Sequence, residues 1–313
     1  MLKNTINKIR PYIKNSIGVL LFLVCSIAIY NKVLINQDWK NIKEIFKGQL
    51  VSISFLNWLI LCLLMFANLF VESIKWNVVI KHNNPQSIYK SLQSVFIGQA
   101  FAFFTPNRIG EYAGRTMFLN AGNKLMGIAQ MAWTSYAQLL ITIVLGTMAL
   151  YFNLSAYAVL NKSWLFWVQL LSPFVGLLAI FFFFYNNAWK GWLSPLNILQ
   201  IKNSVKFQLL GWSLIKYVCF LVQYILLAKL LKMDLPIYTL SMSLSIMFLC
   251  LSILPTISAT EWVVRGQVLI MILTPFYSNN ITVVSLSSII WGINFLIPAI
   301  LGTMLLLGYR MKN

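Results

Sequence analysis

Long apolar runs divide this chain, and they constrain its fold more than any other feature. Six runs of roughly twenty residues cover positions 16–34, 53–74, 126–151, 164–185, 207–231 and 282–307. A helix of about twenty apolar residues is needed to cross the roughly 30 Å hydrocarbon core of a bilayer. In lipid, only helices and closed barrels satisfy their backbone hydrogen bonds. The pattern therefore predicts an all-α polytopic integral membrane protein with six full spans.

The composition supports a membrane protein and argues against a soluble one. Of 313 residues, 59% are hydrophobic and 10% are charged, and the mean hydropathy is +0.78. We expect residues 1–313 to form a single membrane domain. The chain has 24 Lys and Arg but only 6 Asp and Glu, a balance that suggests nucleic acid in a soluble protein. Here the basic residues fall mostly between apolar runs, where they favour cytoplasmic loops and anionic headgroups, so nucleic acid is not an expected partner.

The first apolar run resembles a signal peptide, because several basic residues precede it, among them Lys3 and Arg10. A small-x-small sequence, Ser26-Ile27-Ala28, resembles a cleavage site. That tripeptide lies in the middle of the run and not after it. An uncleaved first span with a cytoplasmic amino terminus is therefore the favoured interpretation.

Two regions contain apolar segments that are too short to span. Residues 91–105 and 109–121 are separated by Thr105-Pro106-Asn107-Arg108, and residues 240–254 and 262–276 are separated around Pro255-Thr256-Ile257-Ser258. Arms of about a dozen residues predict two re-entrant helical hairpins that meet near mid-membrane. Two thin full spans at each place, giving eight or more helices, are the alternative.

The hairpins divide the chain into two similar halves, approximately 16–155 and 160–308. Each half has two spans, a hairpin and one more span. With the amino terminus in the cytoplasm, the first hairpin enters from the cytoplasm and the second from outside. The pattern predicts an inverted-topology repeat, which places a substrate site where the halves meet.

Both hairpins carry the same pair of charges in the second arm. Glu111 precedes Arg115 by four residues, and Glu261 precedes Arg265 by four, 150 positions later. Residues at i and i+4 share a helix face and can form an ion pair. An ion at the centre of a membrane helix costs about 2.5–3.5 kcal/mol, so each pair is either an internal salt bridge or part of a polar cavity. If the pairs belong to a polar cavity, the sequence predicts an arginine-lined cavity for a lipid phosphodiester, with carboxylates available to a cationic headgroup or a proton.

Further polar residues extend the candidate site. Lys216 lies within the run 207–231, where it either reaches the cavity or extends along its stem to the membrane interface. Glu72 and Lys75 are expected to form a simple interfacial ion pair. The predicted substrate-binding residues are Arg108, Glu111, Arg115, Lys216, Glu261 and Arg265, and the predicted hairpin breaks are Pro106, Gly110 and Pro255.

No cofactor, metal site or catalytic constellation is expected. Cys25, Cys62, Cys219 and Cys250 lie in apolar runs without C-x-x-C spacing. His82 lies in a polar loop. The pattern favours a transporter over an enzyme.

These residues resemble the lysylphosphatidylglycerol synthase transmembrane-region family. The resemblance rests on Pro106, Gly110, Glu111 and Arg115 in the first half, on Pro255 and Glu261 in the second, and more loosely on Lys75-Trp76. It implies a flippase that moves an aminoacylated phospholipid or related lipid-linked compound between the leaflets of the bacterial inner membrane. The sequence departs from the family at Ser258-Ala259-Thr260, where glycines are common. It also lacks the soluble synthase domain of long members, so lipid lysylation is not implied.

Two functional alternatives stay open beside the flippase. The chain could be a membrane-embedded helper of a separate synthase or glycosyltransferase, or could itself modify lipids or glycans. The expected ligand is a membrane phospholipid or a polyprenyl-linked lipid.

Overall fold

The structure is a computed structural model that describes residues 53–153, 162–185, 201–256 and 260–310, with a few single positions before residue 53. Of the predicted first span, 16–34, all positions except 27 lie outside the described residues. Residues 257–259, which belong to the predicted second break and to the departure from the family pattern, lie outside them as well.

The described part of the chain is helical and contains no β-strand. A 3-10 turn, Ala121–Asn123, precedes the fourth helix, and a π-helical segment, Gly292–Leu296, joins the last two helices. The α-helices are α1 Phe55–Ile80, α2 Ile88–Phe103, α3 Gly110–Thr116, α4 Lys124–Asn153, α5 Lys162–Phe184, α6 Asn203–Leu230, α7 Ile237–Ile253, α8 Glu261–Leu273, α9 Asn280–Trp291 and α10 Ile297–Arg310.

Four helices in the described ranges are long and apolar enough to cross a membrane. They are Phe55–Ile80, Lys124–Asn153, Asn203–Leu230 and the continuous Asn280–Gly308, with 26 to 30 residues each. Each coincides with a predicted span. The predicted span 164–185 coincides with α5, which has 23 residues and contains Pro173.

The outer surface of these helices is apolar. On α1, the side chains of Phe55, Leu56, Leu63, Phe66 and Phe70 are all exposed. A large exposed apolar surface is unfavourable in water and marks a face that contacts another apolar phase. The helices therefore suit a lipid environment, in agreement with the predicted class of protein.

The first hairpin break has an unusual backbone. Helix α2 ends at Phe103, and Asn107 and Arg108 then adopt positive φ angles of 50° and 58°. Thr105 Oγ1 accepts a 2.8 Å hydrogen bond from the backbone N–H of Gly110. A Cβ atom at position 110 would lie 2.3 Å from the carbonyl oxygen of Phe101, so the turn into α3 requires glycine.

The two halves exchange contacts in a matching way. Helix α4, the last span of the first half, packs on α7, the first hairpin arm of the second half, and the α10 end of the last span packs on α2. In each of these contacts, a glycine lets the two helices approach closely. A Cβ at Gly146 would lie 2.6 Å from Leu249 Cβ, and a Cβ at Gly302 would lie 2.0 Å from the Phe96 carbonyl oxygen. The core is thus built from elements of both halves.

Candidate functional site

A cavity of about 610 Å³ lies between helices of the two halves. Both hairpin regions contribute to its wall, together with α1, α4, α6 and the π-helical segment. Its charged lining residues are Glu72, Lys75, Arg108, Glu111, Lys216, Glu261 and Arg265. Since these charges lie within an apolar bundle, each requires a partner.

Glu72 on α1 is the hub of the ion pairs in the cavity. Its carboxylate accepts from Lys75 Nζ at 3.3 Å, from Arg115 Nη2 at 3.0 Å and from Lys216 Nζ at 2.6 Å. The expectation of a simple interfacial pair is wrong, because Glu72 and Lys75 are both buried and Glu72 also binds cations from α3 and α6. Lys216 turns into the cavity and does not extend to an interface.

The first hairpin pair forms the contact that the sequence predicts. Arg115 donates to Glu111 and, in addition, to Glu72. The Arg115 side chain is only 1% exposed, and its guanidinium lies 5.8 Å from the centre of the Trp76 ring. A Cβ at Gly114 would lie 2.7 Å from Gly98 Cα, so the glycines let α3 pack closely on α2. Arg115 consequently lies behind Glu72 and Glu111 and does not line the cavity.

Arg108 occupies the break and faces the cavity. It donates to Gln99 Oε1, and its Nη2 lies 3.7 Å from Glu111 Oε2. Gln99 in turn donates a 3.3 Å bond to Glu111 Oε1. The Arg108 side chain is 34% exposed, the largest exposure among the described ion-pair members.

The second hairpin also forms its predicted pair. Arg265 donates to Glu261 and, through Nη1, to the Tyr224 hydroxyl at 3.2 Å. Its guanidinium lies 5.7 Å from the centre of the Phe220 ring. The pair is buried, yet both residues line the cavity.

The Phe295 ring contacts one arginine from each hairpin. The guanidinium of Arg108 lies 5.1 Å from the centre of this ring, and that of Arg265 lies 5.0 Å from the same centre. Arginine over an aromatic face is a favourable cation–π contact. Phe295 belongs to the π-helical segment, and such segments occur often at functional sites.

Positions of α1 and α6 that the predicted repeat would pair differ in charge. Glu72, Lys75 and Trp76 of α1 would pair with Phe220, Gln223 and Tyr224 of α6, each 148 positions later. Lys75 Nζ donates to Gln138 Oε1 at 3.2 Å in the first half. In the second half, Asn294 Nδ2 donates to Gln223 Oε1 at 2.8 Å. Each helix thus makes a contact to an amide side chain here, while ionised residues occur among these positions on α1 only.

Several guanidinium N–H groups have no acceptor within the described part of the chain. These are Nε of Arg108, Arg115 and Arg265, and Nη1 of Arg115. A buried donor without an acceptor costs free energy. These nitrogens are themselves buried and not open to the cavity, so they add to the cost of holding positive charge inside the bundle.

The structure brings together five of the six predicted substrate-binding residues on the cavity wall, and it puts Arg115 behind them. Sequence reasoning missed Glu72, Lys75, Gln99, Asn294 and Phe295 as lining residues. A signal existed for Glu72 and Lys75, because they are ions in an apolar run. No comparable signal marks the other three.

Comparisons with known proteins add no relative: no protein-family model matches the chain, and neither a curated protein nor a solved structure is similar to it. The family resemblance therefore rests on the sequence features given above alone.

Proposed function

We propose that this chain is a lipid flippase of the bacterial inner membrane, and that the polar headgroup of its substrate enters the charged cavity while the acyl chains stay in the bilayer. The observation that carries the proposal is a cavity of about 610 Å³ that is lined by charged residues from both halves. This volume falls in the range of small-molecule sites, about 300–1,000 Å³. Arg115 would position Glu72 and Glu111 from behind.

The proposal includes six spans and two re-entrant hairpins arranged as an inverted repeat. Its support is the matched packing of α4 on α7 and of α10 on α2, together with hairpin arms of 7 to 17 residues. In transporters built this way, broken helices surround the substrate at the interface of the repeats.

The contacts between the halves suit a movement that opens the cavity to one side and then the other. Lys216 of the second half binds Glu72 of the first, and Phe295 of the second half contacts Arg108 of the first. A headgroup that binds Lys216 or Arg108 would replace these contacts, so substrate binding and relative movement of the halves would be coupled.

The proposal is tested by reconstitution. Purified protein in liposomes should increase the rate at which fluorescent phospholipids cross between leaflets, measured by chemical quenching of the outer leaflet. Arg265→Gln should lower the rate by about tenfold or more, since one charge-assisted hydrogen bond contributes about 1.5–3 kcal/mol. Lys90→Gln, which removes an exposed charge at the start of α2, is the matched control.

Three outcomes separate the possibilities. A protein that folds but accelerates no lipid would refute the flippase. Lipid binding without movement would favour the helper-subunit alternative. Transport at the normal rate by Arg265→Gln would exclude the cavity as the path.

A further inference from the structure

The ionised side chains of the cavity do not balance. Within the described residues, five cations are connected to it, Lys75, Arg108, Arg115, Lys216 and Arg265, and three carboxylates, Glu72, Glu111 and Glu261. Five positive charges less three negative charges leave an excess of two positive charges. A net charge within an apolar bundle is unfavourable, so a bound anion would relieve it.

The rest of the chain has few carboxylates that could neutralise this excess positive charge. The chain has 6 acidic residues, and three of them are already in the cavity. Asp234 is exposed between α6 and α7. The remaining two, Asp38 and Glu44, lie outside the described residues, and Lys40 and Lys43 are close to them in sequence.

The carboxylates in the cavity are already occupied. Glu72 binds three cations, Glu111 contacts Arg108 and Arg115, and Glu261 binds Arg265. A ligand ammonium group would have to displace a protein cation from one of them. The site therefore disfavours a cationic headgroup, contrary to the expectation that its glutamates would be available to bind one.

The excess positive charge is accessible at two residues, one from each half. The side chains of Arg108 and Lys216 are 34% and 26% exposed, whereas those of Lys75 and Arg115 are each 1% exposed. Arg108 has only a 3.7 Å approach to a carboxylate. Lys216 shares Glu72 with two other cations.

We infer that the substrate headgroup is anionic, and that its phosphate binds Arg108 and Lys216 in the cavity. This inference rests on the proposed function and narrows its substrate. It selects an anionic phospholipid or a polyprenyl phosphate over a cationic aminoacylated lipid. A lysyl ester would bring two further amino groups, the α-amine and the ε-amine, into a cluster that already has two positive charges in excess.

The test is lipid binding to the full chain in detergent, measured by native mass spectrometry. The probes share acyl chains where chemistry allows: dioleoyl phosphatidylglycerol, its lysyl ester, dioleoyl phosphatidylcholine and undecaprenyl phosphate. We expect phosphatidylglycerol or undecaprenyl phosphate to bind at least about tenfold more tightly than the lysyl ester and phosphatidylcholine. The tighter of the two anionic lipids identifies the source of the phosphate.

Variants connect the binding to the site. Arg108→Gln and Lys216→Gln should each weaken binding of the preferred anionic lipid by about tenfold, and Lys90→Gln should leave it unchanged. The lysyl ester binding as tightly as phosphatidylglycerol, or anion binding unaltered by both cavity variants, would overturn the inference. If the lysyl ester is nevertheless transported in liposomes, only the inference fails. If no lipid binds or moves, the proposed function fails as well.

Discussion

The backbone N–H of Asn107 donates a 2.9 Å hydrogen bond to the carbonyl oxygen of Thr256. This bond joins the breaks of the two hairpins, although the residues lie 149 positions apart. A hairpin break exposes backbone groups that lipid cannot satisfy. Each break here supplies a partner for the other, which agrees with hairpins that meet inside the membrane.

This contact predicts a specific cross-link. In a cysteine-free background, Asn107→Cys with Thr256→Cys should be joined by a short bifunctional thiol reagent. The control is Asn107→Cys with Ser278→Cys, since position 278 lies beyond the end of α8. The 13 residues of that helix rise about 20 Å. Cross-linking of the control pair but not of the test pair would contradict the contact.

The proposed inverted repeat predicts that the far ends of the two hairpins lie on opposite sides of the membrane. Gly122 and Ser278 are both exposed, and a Cβ at position 122 meets nothing within 4 Å. Single cysteines there should react with a membrane-impermeant maleimide from the cytoplasm at 122 and from outside at 278. Reaction of both from the same side would refute the inverted arrangement.

Reversing the charges should affect the two hairpins differently. Glu261→Arg with Arg265→Glu keeps an ion pair whose other described hydrogen-bond partner, the Tyr224 hydroxyl, can donate as well as accept. We expect a loss of about 0.3–1 kcal/mol of unfolding free energy from the helix dipole. Glu111→Arg with Arg115→Glu would put a carboxylate against Glu72. We expect this reversal to lower the unfolding free energy by about 3–5 kcal/mol, the cost of breaking a buried ion pair.

Unfolding in detergent measures both reversals. Adding Glu72→Gln should recover part of the stability of the Glu111–Arg115 reversal and none of the Glu261–Arg265 reversal. Lipid transport should be lost in the Glu261–Arg265 reversal even though it folds, because the positive charge moves by one turn, about 5.4 Å. Full transport by the folded reversal would reduce Glu261 and Arg265 to a structural salt bridge.

Close packing of α10 on α2 predicts that Gly302 does not tolerate a side chain. Gly302→Ala would put Cβ 2.0 Å from the Phe96 carbonyl oxygen, a helix backbone atom that cannot move aside as a flexible side chain could. Overpacking of this kind costs about 1–3 kcal/mol. Gly308→Ala on the same helix, where a Cβ meets nothing within 4 Å, is the control. Equal unfolding temperatures of the two variants would contradict the close approach.

The sequence by itself determined the features that depend on neighbours along the chain. Apolar runs of sufficient length predict helices, and four predicted spans coincide with helices long enough to cross a bilayer. Proline and short arms predict the breaks at Pro106 and Pro255. The pairs Glu111–Arg115 and Glu261–Arg265 follow from i, i+4 spacing, because one turn of helix brings these side chains together whatever the rest of the chain does.

Only the tertiary structure decided which of these charges reach the cavity. Glu72 binds Lys216, 144 positions away, and Arg115, 43 positions away. Phe295 contacts an arginine of each hairpin. Helical spacing carries no information about such contacts, because they depend on which helix faces pack against each other. For the same reason, Arg115 and Arg265 have similar local sequences but different surroundings. Glu72 and Trp76 enclose Arg115. Arg265 lines the cavity beside Phe220 and Phe295.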